Sequence, residues 1–208
     1  FSPRARQVIR DIYQDLSRAA PFDGLLFHDD VTLSDYEDGS SFGIAQNQEW
    51  GLPAKITDIR KEDDFLGGWT ILKINALDRF AKELADLVEV EQPNLLTARN
   101  LYAQVVLNPQ SEVWYAQSLD NSLANYDFTA IMAMPYMEQA KDPKAFMQQM
   151  IEKVKEHPNA MRKVVFELQT VDWRTNKKIP NAELAETIKS LYDAGVQHVA
   201  YYPDDSIE

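Results

Sequence analysis

Five short apolar runs alternate with segments of helical periodicity, and this alternation limits the possible folds more than any other feature of the chain. The predicted strands cover residues 24–29, 95–101, 128–134, 163–168 and 196–202. Helical apolar patterns lie at about 2–20, 71–90, 142–157 and 181–193. Strands and helices in such alternation predict a parallel sheet with right-handed crossover connections. We expect residues 1–208 to form a single α/β domain.

Two architectures fit this pattern. The first is a (β/α) barrel, of which the chain supplies the later five β/α units, because a complete eight-stranded barrel needs roughly 250 residues and this chain has 208. The second is a five-stranded doubly wound parallel sheet, which gathers its ligand at one switch point. Polar and aromatic residues after each predicted strand favour the barrel.

One predicted connection is unusually long. Residues 37–69 hold five of the seven glycines and are predicted to form a loop with a single short helix at 53–58. Loops of this length inside a compact domain are usually functional.

The first predicted strand leads directly into a group of acids. The run Leu25–Phe27 is followed by His28, Asp29 and Asp30, and then by Asp35. Crowded carboxylates repel one another, which raises the pKa of at least one of them and produces a general acid that works near neutrality. Asp29 and Asp35 therefore suit glycosidic bond cleavage. The alternative is that these acids are solvated loop residues and helix caps.

Further candidate contacts follow the later strands. Trp114, Tyr136, Trp173 and Tyr202 fall just past predicted strand ends, where an aromatic ring either stacks on a sugar or packs in the core. Arg99, at the end of the second strand, either makes a structural ion pair with the nearby acids or positions substrate. The four aromatic residues together favour a sugar-binding surface more than any one of them alone.

Composition and missing motifs exclude several function classes. A net charge of −12 disfavours nucleic acid as a partner and favours a neutral or cationic ligand. With no cysteine and three histidines, the chain lacks the paired spacing that holds zinc, so we predict no metal site although His28, Asp29 and Asp30 superficially resemble one. No phosphate-binding glycine loop, dinucleotide fingerprint or nucleophilic serine elbow is present, and we predict no cofactor.

Four segments together resemble the C-terminal domain of bacterial poly-β-1,6-N-acetylglucosamine N-deacetylases of the PgaB or HmsF type. They are residues 27–38, 98–103, 134–138 and 201–205, with the sequences FHDDVTLSDYED, ARNLYA, MPYME and YYPDD. The resemblance implies a (β/α) barrel of chitinase-like type that binds, and in some members cleaves, a partly deacetylated biofilm polymer. It also implies a periplasmic protein associated with the outer membrane, whose N-terminal metal-dependent deacetylase domain lies outside this chain.

The resemblance also assigns residues to the site. Asp29 matches the catalytic carboxylate of the family and Asp35 the second acid of the groove. Trp114 and Trp173 match its sugar-stacking tryptophans, whereas Tyr136 and Tyr202 are placed by strand position. The complete predicted substrate-binding set is His28, Asp30, Arg99, Trp114, Tyr136, Trp173, Tyr202 and Asp204.

The leading hypothesis is a glycoside hydrolase that acts on partly deacetylated poly-β-1,6-glucosamine. Glucosamine carries an ammonium group, so an acidic groove attracts it while aromatic rings bind the sugar faces. Asp29 would be the general acid and Asp35 would orient substrate or water. The second hypothesis is a non-catalytic domain that binds the polymer and guides it toward an outer-membrane export porin. A third is a doubly wound domain with an unrelated small ligand. The expected partners are the polymer and the N-terminal part of the same protein, without nucleic acid.

Overall fold

The computed structural model describes residues 1–203 and contains seven strands in that range. They are β1 Gly24–Phe27, β2 Leu96–Tyr102, β3 Phe128–Met132, β4 Val164–Gln169, β5 Val171–Asp172, β6 Lys177–Lys178 and β7 His198–Tyr202. Five of them form one sheet, and β5 and β6 form a separate antiparallel pair. The five strands of the main sheet are the five that the sequence predicted.

Helices connect these strands. They are α1 Pro3–Ala19, α2 Ser41–Glu49, α3 Ile56–Ile59, α4 Asp63–Glu89, α5 Ala103–Leu107, α6 Glu112–Tyr115, α7 Leu119–Asn125, α8 Pro143–Lys155, α9 Ala160–Lys163 and α10 Asn181–Asp193, with a 3-10 turn at Pro109–Ser111. Within residues 1–203, no helix is both long enough and apolar enough to cross a membrane.

The order of the strands decides between the two predicted architectures. Strands that are consecutive in the main sheet are consecutive along the chain, in the order β1-β2-β3-β4-β7, and each pair is parallel. A doubly wound sheet reverses its strand order at a switch point, and this sheet contains no reversal. The chain therefore forms half of a (β/α) barrel, and the doubly wound alternative is wrong.

The predicted long loop at residues 37–69 is also wrong. It contains α2, and α4 already begins at Asp63 instead of at residue 71. The sequence pattern did not indicate the start of α4 because Gly67 and Gly68 lie in it, and glycine inside a helix costs about 1 kcal/mol relative to alanine. Burial of Trp69 and Lys73 on this part of α4 outweighs that propensity. The short helix α3 overlaps the one predicted at 53–58.

The main hydrophobic core lies between one face of the sheet and the helices. Strand residues in it include Leu101, Ile131, Val164, Phe166 and Leu168, and helix residues include Phe146, Met150, Ile151, Val154 and Leu191. Because successive side chains of a strand point to opposite faces, Asn100, Tyr102 and Glu167 point to the other face. That face is the inner wall of the half-barrel.

Phe166→Ala tests this arrangement. Phe166 is completely buried between β4 and the helices, so truncation should lower the free energy of unfolding by about 3–5 kcal/mol through lost burial and a residual cavity. Tyr201→Ala, on the neighbouring strand and half exposed, is the control and should cost about 1 kcal/mol or less. Urea denaturation measures both. Equal losses in the two variants would contradict the placement of Phe166 in this core.

Candidate active site

Several polar side chains come together at the carboxyl ends of the strands, on the inner wall of the half-barrel. In the parallel register, Tyr102 of β2 lies opposite Met132 of β3, which lies opposite Glu167 of β4. His28 and Asp29 directly follow β1, which pairs with β2. The carboxyl ends of parallel strands are where (β/α) barrels place their chemistry. The candidate site is therefore built from β1, β2 and β4 and from the turn after β1.

Among the predicted acids that the structure describes, Asp29 is the most enclosed, with 9% of its surface exposed. Its carboxylate contacts Nδ1 of His28. Burial raises the pKa of Tyr102, and the Asp29 carboxylate raises it further. The Asp29 carboxylate therefore lies beside an imidazole and close to a phenol.

Glu167 is a functional candidate that the sequence analysis missed. Its Oε2 accepts a hydrogen bond of 2.6 Å from Nδ2 of Asn100. Burial raises the pKa of Glu167, and the negative charge of Asp29 raises it further, while the Asn100 bond and His28 oppose the shift. Glu167 is thus a carboxyl group coupled by charge to Asp29. The available signal was a lone glutamate in the otherwise apolar run of β4.

Asp35 lies in a different set of contacts. Its Oδ2 is 2.8 Å from Nη2 and 3.0 Å from Nε of Arg60, and the Arg60 guanidinium also lies 3.7 Å from the centre of the Tyr36 ring. In the part of the chain that the structure describes, the hydrogen bonds and ion pairs of Asp35 share no residue with those of Asp29. The acid coupled to Asp29 is Glu167, and Asp35 is neutralised by an arginine.

A buried lysine holds the loop that carries Asp35. Nζ of Lys73 donates hydrogen bonds to the carbonyl oxygens of Ser34 and Glu37, at 2.7 and 3.4 Å. It also lies 3.8 Å from the centre of the Trp69 ring. Burial lowers the pKa of Lys73 to about 8, against the opposing charges of Asp35 and Glu37. Lys73 is therefore a structural anchor beneath the loop, and the sequence analysis did not identify it.

The predicted aromatic residues fall into three environments. Trp173 and Tyr202 are 42% and 51% exposed, and their ring centres lie 6.2 Å apart at an interplanar angle of 46°. Trp114, in α6, is 52% exposed. The hydroxyl of Tyr136 donates to Glu183 at 2.6 Å, and this bond raises the pKa of Tyr136 to about 12. Trp173 and Tyr202 thus form an accessible aromatic pair, while Tyr136 is tied to α10.

The remaining predicted residues are distributed around Asp29. His28 and Asp30 are exposed beside it, and one ligand atom from each of the three lies within 4.8 Å of the others. The spacing of histidines along the sequence does not predict this closeness. The absence of a metal stays a prediction. Arg99 is buried and donates to the backbone carbonyls of the turn after β1. Asp204 lies outside the described residues.

A large cleft is separate from the candidate site. This cleft, of about 880 Å³ between α8 and α10, is lined by Tyr136 and Glu183 but not by Asp29 or Glu167. It lies on the helix side of the sheet, whereas Asp29 and Glu167 are at the inner wall.

The chain belongs to the family described as "GHL13: Hypothetical glycosyl hydrolase family 13", which it matches over residues 1–202. The fold and the carboxylates at the strand ends thus occur in a glycosyl hydrolase-like family, and the resemblance drawn from the four sequence segments is confirmed.

Individual relatives agree with this assignment. The chain is 38% identical over 211 residues to "Poly-beta-1,6-N-acetyl-D-glucosamine N-deacetylase" of Escherichia coli K12, across 99% of this chain and 31% of the relative, and the O157:H7 protein gives the same values. It also resembles the "PgaB (BpsB) glycoside hydrolase domain from Bordetella bronchiseptica", with a TM-score of 0.95 and 43% identity, across 99% of this chain and 58% of that chain. The chain spans about a third of the curated relatives it matches.

The raised pKa of Glu167 gives a stability prediction. A carboxyl group whose pKa is raised by folding contributes stability below its ordinary pKa of 4.5, and this contribution is lost as the pH rises through the raised value. Glu167→Gln does not titrate, so its free energy of unfolding relative to the unmodified protein should increase across that window. Urea denaturation at intervals between about pH 4 and 8 measures the difference. Glu186→Gln, at an exposed ion pair with Lys144, is the control. A flat difference for Glu167→Gln would contradict the assignment.

The Lys73 anchor gives a second prediction. Lys73→Met removes the donors to Ser34 and Glu37, so the amides of residues 34–37 should exchange with deuterium at least ~10-fold faster as local opening becomes easier. Lys82→Met changes an exposed lysine of the same helix, paired with Asp86, and should leave that exchange unchanged. Mass spectrometry of the peptide that contains the loop measures both. Unaltered protection in Lys73→Met would show that the loop does not depend on this lysine.

Proposed function

We propose that this chain forms part of a glycoside hydrolase site for partly deacetylated poly-β-1,6-N-acetylglucosamine. The observation that carries the proposal is the placement of Glu167 level with Tyr102 on the inner wall, beside the turn that carries Asp29. A pair of carboxyl groups in one site is what glycosidic bond cleavage requires. The names of the curated relatives, which are N-deacetylases of poly-β-1,6-N-acetylglucosamine, support this choice of polymer.

The two carboxyl groups have distinct proposed roles. The sequence predicted Asp29 as the general acid, but burial raises the pKa of Glu167, which favours the protonated form that a general acid needs. We therefore propose that Glu167 protonates the glycosidic oxygen as the bond to the anomeric carbon breaks. Asp29 stabilises the positive charge on that sugar, water adds to the anomeric carbon, and the water's proton returns to a carboxylate. Asp35, paired with Arg60, shapes the neighbouring loop.

Charge and aromatic surfaces support the choice of a cationic sugar chain. The chain has a net charge of −12, and Asp30 is exposed beside Asp29. An ammonium group on deacetylated glucosamine makes charge-assisted hydrogen bonds to such acids. Trp173 and Tyr202 offer exposed ring faces near the end of β4, on which sugar rings can stack.

The second candidate is a domain that binds the same polymer without cutting it. The exposure of Trp114, Trp173 and Tyr202 favours it, since these rings bind sugars whether or not a proton is transferred. The two candidates differ in a single observable property, the length of the polymer after incubation.

Asp29→Asn and Glu167→Gln test the proposed function. Each should lower the rate at which partly deacetylated poly-β-1,6-glucosamine is shortened by at least ~10²-fold, because each removes a group needed for acid–base catalysis. Binding of the polymer should persist in both variants. Chromatography and mass spectrometry follow chain length, and calorimetry follows binding.

Asp86→Asn, at an exposed position on α4, is the matched control and should cleave normally. Full cleavage by Asp29→Asn would refute the catalytic assignment. Binding by the unmodified protein without any shortening would refute the hydrolase and favour the binding domain.

A further inference from the structure

Arg99 lies on the helix side of β2 and is 2% exposed. Its Nη1 donates to the carbonyl oxygens of Phe27 at 3.3 Å, His28 at 2.8 Å and Asn100 at 3.2 Å. Its Nη2 donates to the carbonyl oxygen of Val31. The guanidinium therefore binds the backbone on both sides of Asp29, with its donors directed at peptide groups.

Gln117 holds the same turn through other contacts and is equally buried. Its Nε2 donates to the carbonyl oxygen of Asp29 at 3.4 Å. Its Oε1 accepts the backbone N–H of Tyr102 at 3.1 Å. Gln117 therefore joins the backbone of Asp29 to the backbone of Tyr102 at the end of β2.

A third set of contacts ties the end of the turn to the segment that carries Gln117. The carbonyl oxygen of Tyr115 accepts the backbone N–H of Leu33 at 3.4 Å and the hydroxyl of Thr32. The Tyr115 ring stacks on Tyr102, with ring centres 4.5 Å apart. The turn after β1, the end of β2 and α6 are thereby connected around Asp29.

We propose that Arg99 and Gln117 are positioning residues, which fix the peptide of Asp29 so that its carboxylate keeps its place beside the strand ends that carry Tyr102 and Glu167. The inference rests on the proposed function, because it assigns how the catalytic carboxylate is held. Asp29 has only two side-chain torsions, so fixing its backbone leaves its carboxylate few alternative positions. A displacement of about 1 Å at a reacting group costs up to ~10²-fold in rate.

Gln117→Met tests the proposal with nearly the same side-chain volume and without the two hydrogen bonds. It should lower kcat for polymer cleavage by roughly 10- to 100-fold with KM nearly unchanged. The carboxylate of Asp29 would also move relative to Glu167, so the alkaline limb of the pH–rate profile should move to lower pH. Gln117→Glu keeps an acceptor for Tyr102 but loses the donor to Asp29, and should recover only part of the activity.

Thr129→Val is the matched control. Thr129 is fully buried and hydrogen bonds to Ser122 at 2.8 Å, but it lies near the amino end of β3, away from the strand ends that form the site. It should lose stability without any change in kcat or in the pH profile. Arg99→Lys, which keeps the charge and loses the fork of donors, should resemble Gln117→Met if it folds.

Two outcomes would overturn the positioning role. The first is a Gln117→Met protein whose activity falls only in proportion to its unfolded fraction, as for Thr129→Val. The second is a rise in KM alone, which would make Gln117 a substrate contact. Failure of the proposed function is distinguishable, because Asp29→Asn would then cleave normally or the unmodified protein would not cleave at all. In that case, NMR titration of the Glu167 carboxyl group still decides, since its pKa should fall in Gln117→Met and not in Thr129→Val.

Discussion

The parallel, in-order pairing of five strands is the constraint on which the rest of the structure depends. It places Tyr102 of β2 and Glu167 of β4 at neighbouring levels of the inner wall, with the turn after β1 beside them. Because side chains alternate along each strand, the residues that build the outer core leave only the intervening positions for the inner wall. A shift of one residue in any strand would exchange these faces and move Glu167 into the apolar core.

Cationic side chains offset the negative charge of this region. Arg60 neutralises Asp35, and Lys73 holds the backbone beneath the same loop. Arg99 likewise holds the turn that carries Asp29, because it donates hydrogen bonds to backbone carbonyl oxygens of that turn. In the part of the chain that the structure describes, by contrast, Asp29 contacts the imidazole of His28 and Glu167 contacts the amide of Asn100, and neither carboxylate has an arginine or lysine partner. Asp35 therefore stabilises a loop. The charge of Asp29, in contrast, still acts on Glu167 and raises its pKa, and a carboxyl group with a raised pKa is suited to proton transfer.

Much of the fold could be predicted from the sequence, because the five strands are short apolar runs with clear helical segments between them. The start of α4 could not be predicted, because Gly67 and Gly68 weaken the helical pattern there and burial of Trp69, which stabilises the helix, is not visible in the sequence. Asp29 was identifiable as the acid that directly follows a buried strand. Its coupling to Glu167 was not, because 138 residues separate the two and only the register of β2, β3 and β4 brings them together. Arg99 was named for substrate contact, yet its backbone hydrogen bonds could not be inferred from sequence.

The proposed chemistry depends on Asp29 and Glu167 acting as one electrostatically coupled carboxyl pair. Titration of the Glu167 carboxyl group by NMR, in the unmodified protein and in Asp29→Asn, measures this coupling. The pKa of Glu167 should fall when the charge of Asp29 is removed, while burial keeps it above 4.5. An identical pKa in the two proteins would show that the two groups are not coupled.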